Sequence, residues 1–551
     1  MKKLISALLA AVLLLTGFTA CGKKDKTGYI VKYDLTSVPR SLDPQLAASS
    51  ESLMVVENTF EGLLRQGENG ELVPGVATDY KVSEDGLTYT FQLRTDAMWS
   101  DGKTPVTAHD FVFAFRRVVD PVTGGASASS LLCVRNAPQV LRGELDASAL
   151  GVAAKDDYTF VVTLETPNPF FAEIVTSAAA MPCNEEFFRS TKGRYGLEPK
   201  YLMFNGPFII KSFDEQRRMS LRVNDDYRSG TPVTAGGVDL YFQFDDKPDP
   251  DDPGAVLQTG TQKLLERFYT GKTDAAPITY SDVELLKTEN SDSIYSFENT
   301  VWGLAFNCNT NTYGNQKIRR ALMLSMDTDE LAPFITGNLA PAHAIVPSAV
   351  TMLDKPYREI AGDNLRTERD PTLAKALLQE GLSELEVSKL SKTTIICPDT
   401  GGFAAMLSIL QRQLQEALGI FINLEPMPMD SLNAKVRSGD YMLALVPLTA
   451  GRNNPDAVLN TFSGYSNQNI TGYSDVLFDK TLTDAMVAED IAEAAMLYKQ
   501  AERMLMDNAV YLPLAFETSY YAASPNVEQL QFSPFSYKVF FKHARASEAR
   551  R

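Results

Sequence analysis

Histidine is close to absent from this chain: His109, His343 and His543 are the three it has in 551 residues, and they lie far apart in sequence. That offers little from which to build a histidine-ligated metal site or a histidine acid–base pair. Cysteine is scarce too. Beyond Cys21 there are Cys133, Cys183, Cys308 and Cys397, whose spacing matches no zinc pattern. In an exported chain these four have two readings, disulfide pairs or buried free thiols. A basic excess is missing: 52 Lys and Arg against 69 Asp and Glu leave a formal charge of −17, which argues against nucleic acid as a partner. No His-Glu-x-x-His, Gly-x-Ser-x-Gly or Cys-x-x-Cys motif occurs. Two Gly-Lys-Thr triplets begin at Gly102 and Gly271, but the upstream glycine of a phosphate loop is replaced by Ala97 and Glu266, so both read as turns. No catalytic residue, metal ligand or cofactor is assigned, and an enzyme is not expected.

What is present begins with the N-terminus. Lys2 and Lys3 precede an apolar run from Leu4 to Leu15, which is too short to span a membrane and has the n-, h- and c-region order of a secretory signal over residues 1–20. Ala20 before Cys21 resembles a bacterial lipobox, with Phe18 where leucine is usual. That resemblance implies that Cys21 becomes the lipidated first residue and residues 21–28 a polar tether. Ordinary signal cleavage with no role for Cys21 is the other reading. No later segment reaches the ~18 uncharged apolar residues of a membrane span.

The remaining chain is 44% hydrophobic over the whole sequence and long enough for several cores. Tyr29 to Leu35 alternates as a strand, and Ser52 to Leu64 reads as a helix. Asp85-Gly86 is a turn pair, after which Leu87, Tyr89, Phe91 and Leu93 alternate with polar residues, the signal of a hairpin. Thr107 and Asp110 stand in capping-box spacing ahead of Phe111, Val112, Phe115, Val118 and Val119. Lys247 to Pro253 is a surface loop. From Val301 the pattern changes to strands alternating with helices. Thr393 to Cys397, Ile420 to Leu424 and Tyr441 to Val446 are the strands. Between the first two, Phe403, Met406, Leu407, Leu410, Leu414 and Leu418 share one helical face that Gly419 ends. This is β-α-β order, an α/β lobe. Tyr511 to Phe516 is a late strand.

Several stretches together resemble the oligopeptide- and dipeptide-binding proteins of bacterial ABC importers. They are Leu42-Asp43-Pro44, Glu61-Gly62-Leu63, Pro74 to Ala77, Asp85 to Phe91, Trp99 to Gly102 with Val106 to Phe111, Asn205 to Phe208, Ile318 to Leu322, Ala374 to Leu378 and Leu414 to Ile420. They occur in the family's order along nearly the whole mature chain. The resemblance implies an α/β, two-lobe periplasmic-binding-protein-like fold with an extra domain inserted in the first lobe. The first lobe would comprise residues 29–59, 201–299 and 511–551, the extra domain 60–200 and the second lobe 300–510. It also implies a monomer that is held to the extracytoplasmic face of the membrane by its lipid, closes on a peptide or peptide-like solute and presents it to permease subunits.

In peptide binders of this family the ligand lies extended between the lobes, pairs with a short strand segment and gives its α-amino group to an aspartate before x-x-x-Pro. Aligning on Pro455 places Gly451 at the aspartate position, and Pro447-Leu448 where Gly-Trp is usual. Gly451 has no counter-charge, Leu448 no aromatic wall and Pro447 no N–H. The ligand-binding candidates implied are therefore Thr449, Gly451, Arg452, Asn453, Asn454, Asp456 and Trp302. A shifted turn would move the aspartate role to Asp456. Arg452 would meet a ligand carboxylate or other anion, or face solvent. Trp302 would stack on a ligand or belong to the core. The same fold serving as a sensor or accessory protein, or binding a non-peptide anionic solute, is the alternative.

Overall fold

The computed structural model describes residues 28–548 apart from 48, 68–70, 124–127, 129–130, 169–170, 243–259, 288–293, 353–354, 363–364, 366–367, 391, 465, 467, 489 and 536–538. The signal segment, Cys21 and the 247–253 loop lie outside the described residues. Strand β1 (Ile30–Asp34) leads to helix α1 (Ser50–Thr59), whose first turn is capped by the Ser49 hydroxyl, an acceptor for the Ser52 N–H. The helix stops five residues short of the expected Leu64. Asn205 is the reason: its Oδ1 accepts from the Glu61 N–H at 3.1 Å and its Nδ2 donates to the Glu61 carbonyl at 2.8 Å, which holds this segment outside the helix.

A separate four-stranded sheet follows, made of β2 (Ala77–Val82), β3 (Thr88–Leu93), β4 (Val152–Asp156) and β5 (Thr159–Thr163) in the order β2-β3-β5-β4. Gly86 takes φ +68° in the β2–β3 turn, a conformation that glycine adopts without a Cβ penalty. Tyr89, Phe91 and Leu93 are buried, with Tyr89 and Phe91 against Phe171 and Phe91 against Phe160, while α2 (Ala108–Val119) packs on β4 and β5. Asp110 accepts from the Thr107 N–H at 2.8 Å, from Asn184 Nδ2 at 3.1 Å and from Trp99 Nε1 at 3.4 Å. Burial pushes its carboxyl up to about 6 despite those donors. Arg117 of α2 reaches back to Asp43 at 2.6 Å, with both side chains buried, and so ties the N-terminal segment to this unit. A short helix, α3 (Phe171–Ile174), sits on the same unit.

The main sheet runs through the rest of the chain. Its strands are β1, β6 (Phe208–Asp214), β7 (Arg218–Val223), β8 (Gly237–Tyr241), β9 (Ala275–Ile278), β10 (Ile294–Phe306), β11 (Thr393–Pro398), β12 (Ile422–Met427), β13 (Leu443–Thr449) and β14 (Tyr511–Ala523). Their spatial order is β12-β11-β13-β10-β14-β9-β1-β8-β7-β6, with Leu339–Pro341 added on β14. Helices α4 (Gln316–Leu324), α5 (Pro371–Glu384), α6 (Phe403–Leu418), α7 (Met429–Ser438) and α8 (Ile491–Asp507) accompany the second half. Gly419 ends α6 with φ +70°.

Two large hydrophobic cores divide the molecule. One gathers β1, α1, the four-stranded sheet and β6 to β8; the other runs from Val301 to Phe516 and includes Phe535. The antiparallel pair β10 and β14 joins them. Each strand has 13 residues, and β14 runs seven residues past the expected end at Phe516; polar middles (Glu298-Asn299-Thr300 and Glu517-Thr518-Ser519) interrupt the apolar runs of both. The pairing slips between Glu298 and Thr300 and again between Trp302 and Gly303. A Cβ at Gly303 would lie 2.3 Å from the Tyr511 ring, so only glycine fits this crossing. The four described cysteines are free thiols, Cys183 and Cys397 buried, Cys133 and Cys308 half-buried.

Candidate ligand-binding cleft

The crossing of β10 and β14 puts a band of polar groups on one face of the sheet, between the two cores. Trp302 Nε1 donates to Glu517 Oε2 at 2.7 Å, and Asn338 Nδ2 donates to Glu517 Oε1 at 2.9 Å. The hydroxyls of Thr300 and Thr449 meet at 2.8 Å across the β10–β13 pair. Trp302 itself is 8% exposed and packs on Phe403 with ring centroids 4.4 Å apart. It is a wall of the second core whose polar edge holds Glu517 in place.

Beside this band lies a cavity of about 630 Å3. Its walls come from the first core, through Tyr33 to Thr36 and the start of α1, from β14, through Glu517 to Tyr521, and from Gly337 and Asn338 on the second-core side. A larger cavity of about 740 Å3 sits at the seam between the four-stranded sheet and the first core. Two ion pairs line it, Arg65 on Glu61 at 2.9 Å and Arg94 on Asp96 at 2.6 Å, and Lys542 donates to the hydroxyls of Tyr227, Ser229 and Thr231.

Strand β13 enters the same region with one edge open. Its whole length pairs with β10, but β11 meets it only at Leu443 and Ala444. Among the described residues, Leu445 to Thr449 has no strand partner on that side, and a groove of about 410 Å3 runs along Val446 to Thr449 against α7. An exposed strand edge is a template for an extended backbone. Pro447 lies in the middle of it. A proline tolerated within a sheet turns its nitrogen to the unpaired side, so this edge lacks one donor.

The loop after β13 carries most of the candidate residues implied by resemblance. The Ala450 N–H donates to the Asn299 carbonyl at 3.0 Å, which pins the loop at the β10 bulge. Asn453 accepts from the Thr351 N–H and donates to its hydroxyl, both at 2.7 Å. Asn454 Oδ1 accepts from the Asp456 N–H at 3.0 Å. Arg452 Nη2 donates to Asp456 Oδ2, and Asp456 is fully buried. Arg452 is thus neither a solvent-facing loop arginine nor a free cation. Gly451 is exposed at the turn.

Sequence reading missed one residue that faces this loop from the other side. Glu173 of α3 has its carboxyl pushed up to about 7, first by burial, then by Asp456, with Arg452 opposing. Glu173 Oε2, Asp456 Oδ1 and Arg452 Nε are buried without a hydrogen-bond partner among the described residues. Glu517, Asn299 and Asn338 were missed as well. The available signal for Glu517 and Asn299 was the polar break in each long strand.

Two cores joined by crossing strands, with a cleft walled from both, define a two-lobe binding protein. Residues 71–470 match bacterial extracellular solute-binding proteins, family 5 Middle, and the chain belongs to this family. It is 28% identical to the oligopeptide-binding protein OppA of Bacillus subtilis (strain 168) over 96% of this chain and 95% of the relative. It is 27% identical to the dipeptide-binding protein DppE of the same organism over 91% of this chain and 89% of the relative. Among solved structures, Listeria monocytogenes OppA bound to peptide superposes with a TM-score of 0.73 at 24% identity, covering 95% of this chain and all of the other. No helix among the described residues is long and apolar enough to cross a membrane.

Proposed function

We propose that this protein captures a peptide or peptide-like solute between its two lobes and delivers it to an ABC importer. The observation that carries the reading is the edge of β13 at Leu445 to Thr449, which has no strand partner among the described residues on the side away from β10 and is followed by a groove of about 410 Å3. Hinge motion at the two bulged strands would open and close that cleft, and a ligand would favour the closed form by touching both lobes. The family and the named relatives support the substrate class. The partition carried with this reading is a first lobe of 29–59, 201–299 and 511–551, an extra domain of 60–200 and a second lobe of 300–510. Cys21 would carry the lipid that holds the chain, as a monomer, on the extracytoplasmic face.

The protein purified from its own cells, then denatured, should release peptides detectable by mass spectrometry, and a peptide pool should raise its melting temperature. Release of no small molecule together with no shift from any pool would overturn the reading. The anchor is separable: Cys21→Ala should move the protein from the membrane fraction to the soluble one, and retention on the membrane would refute it.

Pro447 favours a second reading, in which the fold serves sensing or an accessory role with standard peptide binding lost. An edge without that N–H offers an extended backbone one donor fewer. Peptide uptake unchanged by deletion of the gene would favour it.

A further inference from the structure

The cavity beside the crossing strands carries unbalanced charge. Asp34, Glu51 and Glu517 line it, and no Lys, Arg or His does among the described residues. Asp34 is met from outside the cavity by Arg267, whose Nε donates to Oδ2 at 2.8 Å. Its Oδ1 has no hydrogen-bond partner among the described residues, on a side chain that is 2% exposed. Among the described residues Glu51 accepts only from the hydroxyls of Thr36 and Ser50. Glu517 accepts from Trp302 and Asn338. Those four donors are neutral, so among the described residues the one guanidinium bonded to any of the three carboxylates is that of Arg267. Carboxylates held in a partly buried wall lose hydration, and an opposite charge entering the cavity recovers that loss. The rings of Tyr280 and Tyr520 line the same cavity with centroids 6.2 Å apart and planes at 55°. Aromatic faces within ~6 Å of a cation attract it further. The acids do not converge as metal ligands: among the described residues no three His, Cys, Asp or Glu side chains are grouped to hold an ion. A volume of about 630 Å3 instead accommodates an organic cation on an alkyl stem.

We propose that this cavity is a subsite for the ammonium or guanidinium group of a basic ligand side chain, so that the protein selects peptides containing lysine or arginine. The proposal rests on the peptide-binding reading above. A free alkyl amine or guanidine carries the same chemistry, and the test separates the two sources.

Calorimetric titration would use pentapeptides of alanine in which one residue, moved through all five positions, is Lys, Arg or the uncharged isostere norleucine. Agmatine, a free guanidine with an alkyl amine, is the second probe. At one position Lys and Arg should bind at least tenfold tighter than norleucine. That ratio should fall below threefold in Glu517→Gln and in Glu51→Gln, with melting temperatures measured for both to confirm folding. Equal affinities for Lys and norleucine at every position would overturn the subsite while leaving peptide binding intact, as would a ratio unchanged in both variants. Binding of agmatine without any peptide would keep the cationic subsite and overturn the peptide reading. Binding of neither would overturn both.

Discussion

The loop from Thr449 to Asp456 and the cavity wall of Asp34, Glu51 and Glu517 treat polar groups in different ways. In the loop, each charged or amide side chain has a partner close by in the chain or across the loop, Arg452 on Asp456, Asn453 on Thr351 and Asn454 on the Asp456 N–H, although Arg452 Nε and Asp456 Oδ1 keep no hydrogen-bond partner among the described residues. In the wall, two carboxylates, Glu51 and Glu517, hold only neutral donors among the described residues. A group already satisfied at short range gains little from a ligand, whereas one short of a counter-charge gains a good deal. On the proposal above, recognition by charge would belong to the wall, and the loop would shape and support the strand edge.

The strongest way to break that contrast is Arg452→Ala. If the arginine is structural, its loss leaves Asp456 buried without a cation and costs about 3 kcal/mol of stability in chemical denaturation, with peptide affinity changed less than about threefold. A tenfold loss of affinity at unchanged stability would make the loop a recognition element after all.

Glu173 sharpens the comparison through pH. Its carboxyl is raised from an ordinary 4.5 to about 7, so the folded protein favours the protonated form. The stabilising contribution is complete below pH 4.5 and is lost as pH rises through about 7. Glu173→Gln should match wild type in denaturation at pH 4 and be roughly 1–2 kcal/mol more stable at pH 8. A difference that is the same at both values would mean that neither burial nor Asp456 raises the Glu173 carboxyl.

For the wall, Glu517→Gln should weaken binding of the best lysine pentapeptide about tenfold, or about 1.4 kcal/mol, with little change in melting temperature. The smallest effect expected is at the edge. Pro447→Ala restores one N–H and should tighten peptide binding by about 1 kcal/mol, the net worth of one hydrogen bond. No change in affinity by calorimetry would mean that the ligand backbone does not pair there.

Local patterns in the sequence reveal much of the fold. The Asp85-Gly86 turn, the Thr107–Asp110 cap and the α6 face ended by Gly419 are decided within a few residues, and they stand in the structure. Motif residues that identify the family act as mortar between units: Asp43 binds Arg117, and Asn205 clamps Glu61. The site was far less legible. Arg452 reads as a free cation until Asp456 is seen to close on it, an i,i+4 pairing that the chain does not announce in a loop. Glu517 and Glu298 sit in polar breaks that read as strand ends, although tertiary pairing carries both strands through them. Glu51 and Glu517 lie 466 positions apart in sequence, and only the fold brings them to one cavity.

The central claim is that ligand lodges between the lobes, along the β13 edge and the Glu517 wall. Amide hydrogen exchange of the purified protein, with and without a saturating lysine pentapeptide, tests it most directly. The account predicts new protection at Leu445 to Thr449 and at Glu517 to Tyr521. Protection confined to the seam cavity around Arg65 and Arg94, with neither of those strands affected, would contradict it.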